Sequence, residues 1–221
     1  MRLLIKATTT FLFGLLTTGA MLFLPAGTLA YYGAWLFVFL LFTPIFIVGI
    51  VLFLRNPDLL HKRLEMRERD KEQRGVVSLS GLLLVFSLVL SGFDFRFGWS
   101  LVPDAVVVLA SVLLLVGYVL YAEVLRENVY LSRVVEVQEG QIVIDTGLYG
   151  IVRHPMYLAV SLLYIAIPLV LGSWWALLPM SLCVLLLLVR IKNEELLLHQ
   201  GLPGYTEYTK RVQYRMIPFL W

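Results

Sequence analysis

Six long apolar runs limit most strongly what this chain of 221 residues can fold into. They cover residues 8–30, 34–54, 76–90, 105–122, 156–171 and 174–189. The hydrocarbon core of a bilayer is about 30 Å thick and needs roughly 20 helical residues to cross it. With 60% hydrophobic residues, 15% charged residues and a mean hydropathy of +0.85, the chain is too apolar for a water-soluble globule. We therefore expect an all-α integral membrane protein with about six transmembrane helices.

The last two apolar runs are short and meet at Gly172-Ser173, which predicts a helical hairpin. The first run follows Arg2 and Lys6 as in a signal peptide, but its apolar part is longer than the usual ~7–15 residues and a second run follows at once. We interpret it as a retained membrane anchor.

Basic residues predict the orientation, because they accumulate in cytoplasmic loops. With six spans, Arg96 alone falls on one side. The other side receives Arg2, Lys6, the basic residues of segment 55–74, Arg126, Arg133, Arg153, Arg190, Lys192, Lys210, Arg211 and Arg215. Both termini and the loop 123–155 are therefore expected in the cytoplasm. Anionic lipid head groups account for the net charge of +3, so no nucleic-acid partner is expected.

Cysteine and histidine residues give no sign of a metal or of disulfides. Cys183 is the one cysteine, and it lies inside an apolar run. His61, His154 and His199 are scattered, without the spacing of metal ligands. We predict no metal site.

The polar residues divide the chain into two parts. Residues 1–122 contain four apolar runs and one charged segment, 55–75, whose acids and bases alternate at helical distances, as in Glu65 with Arg69 and Asp70 with Arg74. This segment is interpreted as a solvated interfacial helix. Residues 123–221 contain the hairpin and two segments rich in unusual residues.

The segment before the hairpin is a candidate site, since a simple connection between two helices would be shorter. β-Branched runs at 134–137 and 141–144 predict two extended segments around a turn at Glu139-Gly140, and 145–147 predicts a second turn. Pro155 is suited to the first position of a helix. Arg153 and His154 then lie at a helix N-terminus, which favours an anionic ligand group.

The segment after the hairpin places Arg190 and Glu194 on one helix face. Taken alone, they are compatible with an exposed ion pair worth ~0.3–0.5 kcal/mol. Tyr205 and Tyr208, three residues apart, are likewise compatible with interfacial anchors.

Together these motifs resemble the isoprenylcysteine carboxyl methyltransferase family and the related phospholipid methyltransferases. The resemblance runs from about Asn128 to the C-terminus and rests on Gly147-x-Tyr149, Arg153-His154-Pro155-x-Tyr157, Arg190-x-x-x-Glu194-Glu195 and Tyr205-x-x-Tyr208. It implies S-adenosylmethionine as the cofactor and a lipophilic acceptor that enters from the bilayer. The implied cofactor contacts are Gln138, Gln141, Ile142, Val143, Ile144, Tyr149, His154, Pro155, Met156, Tyr157 and Glu194, while Arg190 is implied to face the acceptor. Residues 123–221 would then form the methyltransferase core, with a cytoplasmic cofactor-binding loop and a C-terminal cap.

These residue types suit methyl transfer to a carboxylate, and Arg190 and Glu194 are the candidate catalytic residues. A carboxylate is already deprotonated, so it needs no general base, and Arg190 can hold it with two nitrogens. Glu194 suits the ammonium or hydroxyl groups of the cofactor, and His154 suits its carboxylate. An amine acceptor would need a base, which Glu195 or Tyr149 would have to supply.

Two further classes of protein stay open. Sterol-type membrane reductases have a similar hairpin and C-terminal pocket but use NADPH, and no glycine-rich or additional basic site for its 2′-phosphate is evident. A non-catalytic membrane scaffold would explain the hydrophobicity, but not the convergence of Arg, His, Tyr and Glu at one interface.

Overall fold

The fold is helical throughout the described residues. The computed structural model describes residues 2–64, 71–131 and 137–221, and in these ranges it contains no β-strand. The α-helices are α1 (Arg2–Ala26), α2 (Tyr32–Arg55), α3 (Pro57–Leu64), α4 (Lys71–Phe97), α5 (Asp104–Glu127), α6 (Pro155–Val170), α7 (Leu177–Gly201) and α8 (Tyr205–Arg211). A 3₁₀ turn covers Gly147–Gly150.

Four of these helices are long and apolar enough to cross a membrane. They are the helical stretches Leu3–Ala26, Tyr32–Arg55, Arg74–Phe97 and Asp104–Glu127. Their outer faces carry exposed side chains such as Leu16, Leu82 and Val119, each about 70% exposed, which are suited to contact with lipid. The chain is an integral membrane protein.

Helices α6 and α7 form the predicted hairpin. They pack against each other and are joined by residues 171–176. Helix α6 has 16 residues, fewer than the roughly 20 that a perpendicular span needs. Helix α7 has 25 residues, but its apolar part ends before Arg190 and the rest carries charges. The count of six spans therefore stays a prediction.

A buried polar clamp holds the hairpin turn at the end of the bundle opposite the charged part of α7. Asp94, 1% exposed, accepts hydrogen bonds from the Ser173 hydroxyl (2.5 Å) and from the hydroxyl and backbone nitrogen of Ser100 (2.5 and 2.8 Å). The Tyr31 hydroxyl donates to the Leu171 carbonyl at 2.5 Å. Each partner is satisfied by protein groups, so this cluster fixes the hairpin against α1–α2 and α4.

The remaining sequence predictions on the first half of the chain are only partly described. Helix α3 covers the start of the predicted interfacial helix, whereas Glu65, Arg69 and Asp70 lie outside the described residues. The predicted division between residues 122 and 123 falls within α5, and it stays a prediction about which residues build the site.

Candidate active site

The loop between α5 and α6 contains the predicted turn at Glu139-Gly140. Gly140 has φ +72, and the Gln141 backbone nitrogen donates to the Gln138 carbonyl at 3.1 Å. No strand forms over 137–146, and the run 134–136 lies outside the described residues. The Gln138 side chain donates to the Tyr130 carbonyl at 2.6 Å, and the Tyr130 hydroxyl donates to the Gly140 carbonyl at 3.2 Å. The Gln138 side chain therefore braces the loop.

The second turn is held by the end of α5. The Leu148 backbone nitrogen donates to a Glu127 carboxylate oxygen at 3.0 Å, next to Gly147, which has φ +51. A Cβ atom on residue 147 would overlap that carboxylate. The positive φ favours glycine here, and a side chain would in addition displace the Glu127 carboxylate from the Leu148 nitrogen.

The C-terminal tail is bound to the start of α6. Arg153 and His154 donate their backbone nitrogens to the carbonyls of Tyr214 (2.9 Å) and Arg215 (2.8 Å). The Arg153 side chain donates to the carbonyls of Val212 and Gln213, both at 2.8 Å. Pro155 then begins α6, as predicted, where the missing N–H leaves no bond unmade.

Glu195 lies at the centre of this tail contact, 6% exposed. It accepts hydrogen bonds from Arg153 Nε (2.7 Å) and Arg215 Nε (2.6 Å), and His154 Nε2 lies 3.4 Å from the same carboxylate. Burial acts to raise the pKa of Glu195, but the hydrogen bonds from these three bases outweigh it and lower the pKa to about 2. The carboxylate is therefore ionised at neutral pH and fully used in holding the tail.

A tyrosine connects the two candidate catalytic residues. Arg190 Nε donates to the Tyr157 hydroxyl at 2.9 Å, and that hydroxyl donates to Glu194 Oε2 at 2.6 Å. Arg190 is only 9% exposed, so the interpretation as an exposed ion pair with Glu194 is wrong. The Arg190–Tyr157–Glu194 relay links a buried guanidinium to a half-buried carboxylate across the interface of α6 and α7.

The relay opens into a pocket that encloses about 840 Å³, including space open to solvent. Most of the predicted site residues line it: Gln141, Ile142, Val143, Ile144, Tyr149, His154, Met156, Tyr157, Arg190 and Glu194. Gln138 and Pro155 are absent from the lining, and their roles stay predictions. The lining also includes residues that sequence reasoning did not assign to the site: Asn128, Tyr130, Leu131, Arg153, Leu197, Leu198, Leu202, Tyr205 and Tyr208.

Tyrosines form one wall of the pocket. Tyr208, 2% exposed, donates its hydroxyl to the Tyr149 carbonyl at 2.7 Å, and the Tyr149 hydroxyl accepts from the Asn128 side chain at 2.9 Å. Tyr205 is 4% exposed and packs beside Tyr208. Both C-terminal tyrosines are therefore buried pocket residues, and their interpretation as interfacial anchors is wrong. The sequence feature that could have identified them as site residues is their three-residue spacing within the C-terminal motif.

The part of the chain that the structure describes contains no cluster of possible metal ligands. No three His, Cys, Asp or Glu residues there lie close enough together to hold an ion. The lining of the pocket carries guanidinium, carboxylate, imidazole and phenol groups.

Long apolar helices define an integral membrane protein, and a charged, tyrosine-lined pocket lies at one end of it. Residues 101–200, just under half of the chain, match the model of the Isoprenylcysteine carboxyl methyltransferase (ICMT) family. This match confirms the resemblance and indicates a membrane methyltransferase. No curated protein matches the chain significantly.

Proposed function

We propose that this chain is an S-adenosylmethionine-dependent methyltransferase that methylates a carboxylate of a lipophilic, isoprenoid-like acceptor. The observation that carries the proposal is the Arg190–Tyr157–Glu194 relay at the edge of the pocket, inside the domain that matches the ICMT family. The relay places a guanidinium suited to an anionic acceptor one helical turn from a carboxylate suited to a cationic cofactor.

The pocket suits a cofactor of this kind in the chemistry of its lining. Ile142, Val143 and Leu198 offer an apolar wall for an aromatic base, while Glu194 and His154 offer charged and polar groups. When bound, S-adenosylmethionine would supply an electrophilic methyl group on a cationic sulfur, with a neutral thioether as the leaving group.

The groups around the pocket favour a carboxylate acceptor over an amine. Glu195 is ionised but is held by Arg153 and Arg215, so accepting a proton would break the contacts that lower its pKa. The Tyr149 hydroxyl already accepts a hydrogen bond from Asn128. A carboxylate oxygen attacks without losing a proton, so Arg190 has only to hold and orient it.

A buried apolar cluster lies beside Arg190. Leu187 and Ile191 lie next to Arg190 on α7 and pack with Tyr157 and Met216. Burial in this cluster excludes water from the guanidinium, which strengthens its attraction for an anionic group. The acceptor would thus present its carboxylate to Arg190 from the membrane side, while the cofactor occupies the loop side.

The distribution of charge supports a cytoplasmic site. Arg126, Arg153 and Arg211 lie on the elements that surround the pocket, whereas Arg96 lies near the Asp94 clamp at the other end of α4. We therefore place the pocket and both termini on the cytoplasmic side.

Transfer of labelled methyl groups tests the proposal directly. Membranes that contain the protein, incubated with methyl-labelled S-adenosylmethionine, should yield a lipid-extractable product whose label is released as methanol by mild base, because a methyl ester hydrolyses and an N-methyl group does not. A base-stable labelled lipid would instead indicate the amine N-methyltransferase alternative. Absence of labelling together with binding of NADPH would indicate the reductase.

Cofactor binding should depend on the charge of Glu194. Glu194→Gln keeps the acceptor for the Tyr157 hydroxyl but removes the negative charge, and His154→Ala removes the imidazole. Each should weaken S-adenosylmethionine binding by roughly 1–3 kcal/mol, the range for an unmet charged partner. Equilibrium titration in detergent measures this. Glu207→Gln, on the exposed surface of α8, is the matched control and should bind normally. Unchanged affinity in both pocket variants would contradict the assignment.

A further inference from the structure

The Tyr205 hydroxyl is a buried polar group without a partner among the described residues. Its oxygen is shielded from solvent and makes no hydrogen bond with any described residue. Tyr205 as a whole is 4% exposed and lines the pocket. Buried hydroxyls nearly always have a partner, because an unsatisfied group keeps the cost of its lost hydration.

The side chains around Tyr205 hold its ring in place, but no described residue bonds its hydroxyl. The ring packs among Leu198, Leu202 and Val212 and meets the His199 ring edge to face, with 5.0 Å between centroids. Gly204, with φ +82, immediately precedes it as the N-cap residue of α8. The hydroxyl lies within the electrostatic influence of Glu195, Arg153 and Glu194, and burial raises its pKa, so it stays protonated. A rigid ring thus presents an O–H group at the border between the apolar and charged walls.

We propose that the Tyr205 hydroxyl is a hydrogen-bonding group for the bound cofactor, so that ligand binding satisfies a group that the free protein leaves unsatisfied. This inference rests on the proposed function, because it takes the S-adenosyl group as the occupant of the pocket. The neighbouring Tyr208 differs, because its hydroxyl already donates a hydrogen bond to the Tyr149 carbonyl within the protein.

The test compares Tyr205→Phe with Tyr208→Phe in the full-length protein in detergent, with S-adenosylhomocysteine as the probe. Tyr205→Phe should bind the probe about tenfold more weakly while its melting temperature without ligand equals or exceeds that of the wild type. Tyr208→Phe should melt several degrees lower without ligand, because the Tyr149 carbonyl loses its partner. Isothermal titration and thermal unfolding read out affinity and stability separately, and neither needs turnover.

The outcomes of this test distinguish failure of this inference from failure of the proposed function. Wild-type protein that binds S-adenosylhomocysteine, together with unchanged affinity in Tyr205→Phe, would overturn the role of the hydroxyl and leave the proposed function standing. A lower melting temperature for ligand-free Tyr205→Phe would also overturn it, because the hydroxyl would then have a partner in the free protein. Wild-type protein that binds neither S-adenosylhomocysteine nor S-adenosylmethionine would overturn both.

Discussion

Replacing Arg190 with lysine should reduce the turnover of methyl transfer about a hundredfold and leave S-adenosylmethionine affinity close to that of the wild type. Lysine keeps the positive charge but lacks the planar fork that holds a carboxylate with two nitrogens. It also loses the Nε that donates to the Tyr157 hydroxyl at 2.9 Å. The acceptor would therefore still bind in part, but its carboxylate would be badly oriented. Because this nucleophile is already deprotonated, orientation is the main contribution that the protein has to make.

Single-turnover kinetics and cofactor titration measure the two effects separately. Arg126→Lys is the control, since Arg126 is exposed and pairs with Glu123 on the surface of α5. Turnover of Arg190→Lys near that of the wild type would remove Arg190 from the acceptor site. A parallel loss of cofactor affinity would instead assign Arg190 to cofactor binding.

Replacing Glu195 with glutamine should lower the free energy of unfolding by about 3–5 kcal/mol, the usual effect of removing one member of a buried ion pair. Glu195 is the carboxylate that neutralises both Arg153, whose side chain is 8% exposed, and Arg215. Without it, the tail carrying Met216 should detach from α6 and leave Tyr157 less well packed. Glu207→Gln, which removes an exposed carboxylate, should have almost no effect.

The same contact predicts how stability depends on pH. The folded protein lowers the pKa of Glu195 from 4.5 to about 2, so the stabilisation is fully present above pH 4.5 and is lost as the pH falls towards 2. Thermal unfolding in detergent between pH 7 and pH 2 should show the difference between the wild type and Glu195→Gln shrinking over this window. A difference that is independent of pH down to 2 would contradict the ion-pair assignment.

A large part of the architecture follows from the sequence alone, because apolar length and helix breakers act locally. The apolar runs identify the long membrane helices, Gly172-Ser173 identifies the hairpin turn, and Pro155 identifies the start of α6. The sequence motifs also singled out Arg190, Glu194 and His154, and the structure places all three along one pocket. Helix ends were less accurate, as α4 continues to Phe97 and buries Asp94 well beyond the predicted end of its span.

Only the tertiary structure decided how the site residues are paired. Tyr157 joins Arg190 to Glu194 because α6 and α7 cross at that level, and Glu195 meets Arg153 and Arg215 from positions 42 and 20 residues away. Helical periodicity specifies which residues share a face, but it does not specify which face of another helix or which carbonyls of a returning tail that face will meet. For the same reason, the sequence determined that Tyr205 and Gln138 belong to the motif-bearing half of the chain. Packing alone decided that the Tyr205 hydroxyl is buried without a hydrogen bond to any described residue and that the Gln138 side chain donates to the Tyr130 carbonyl.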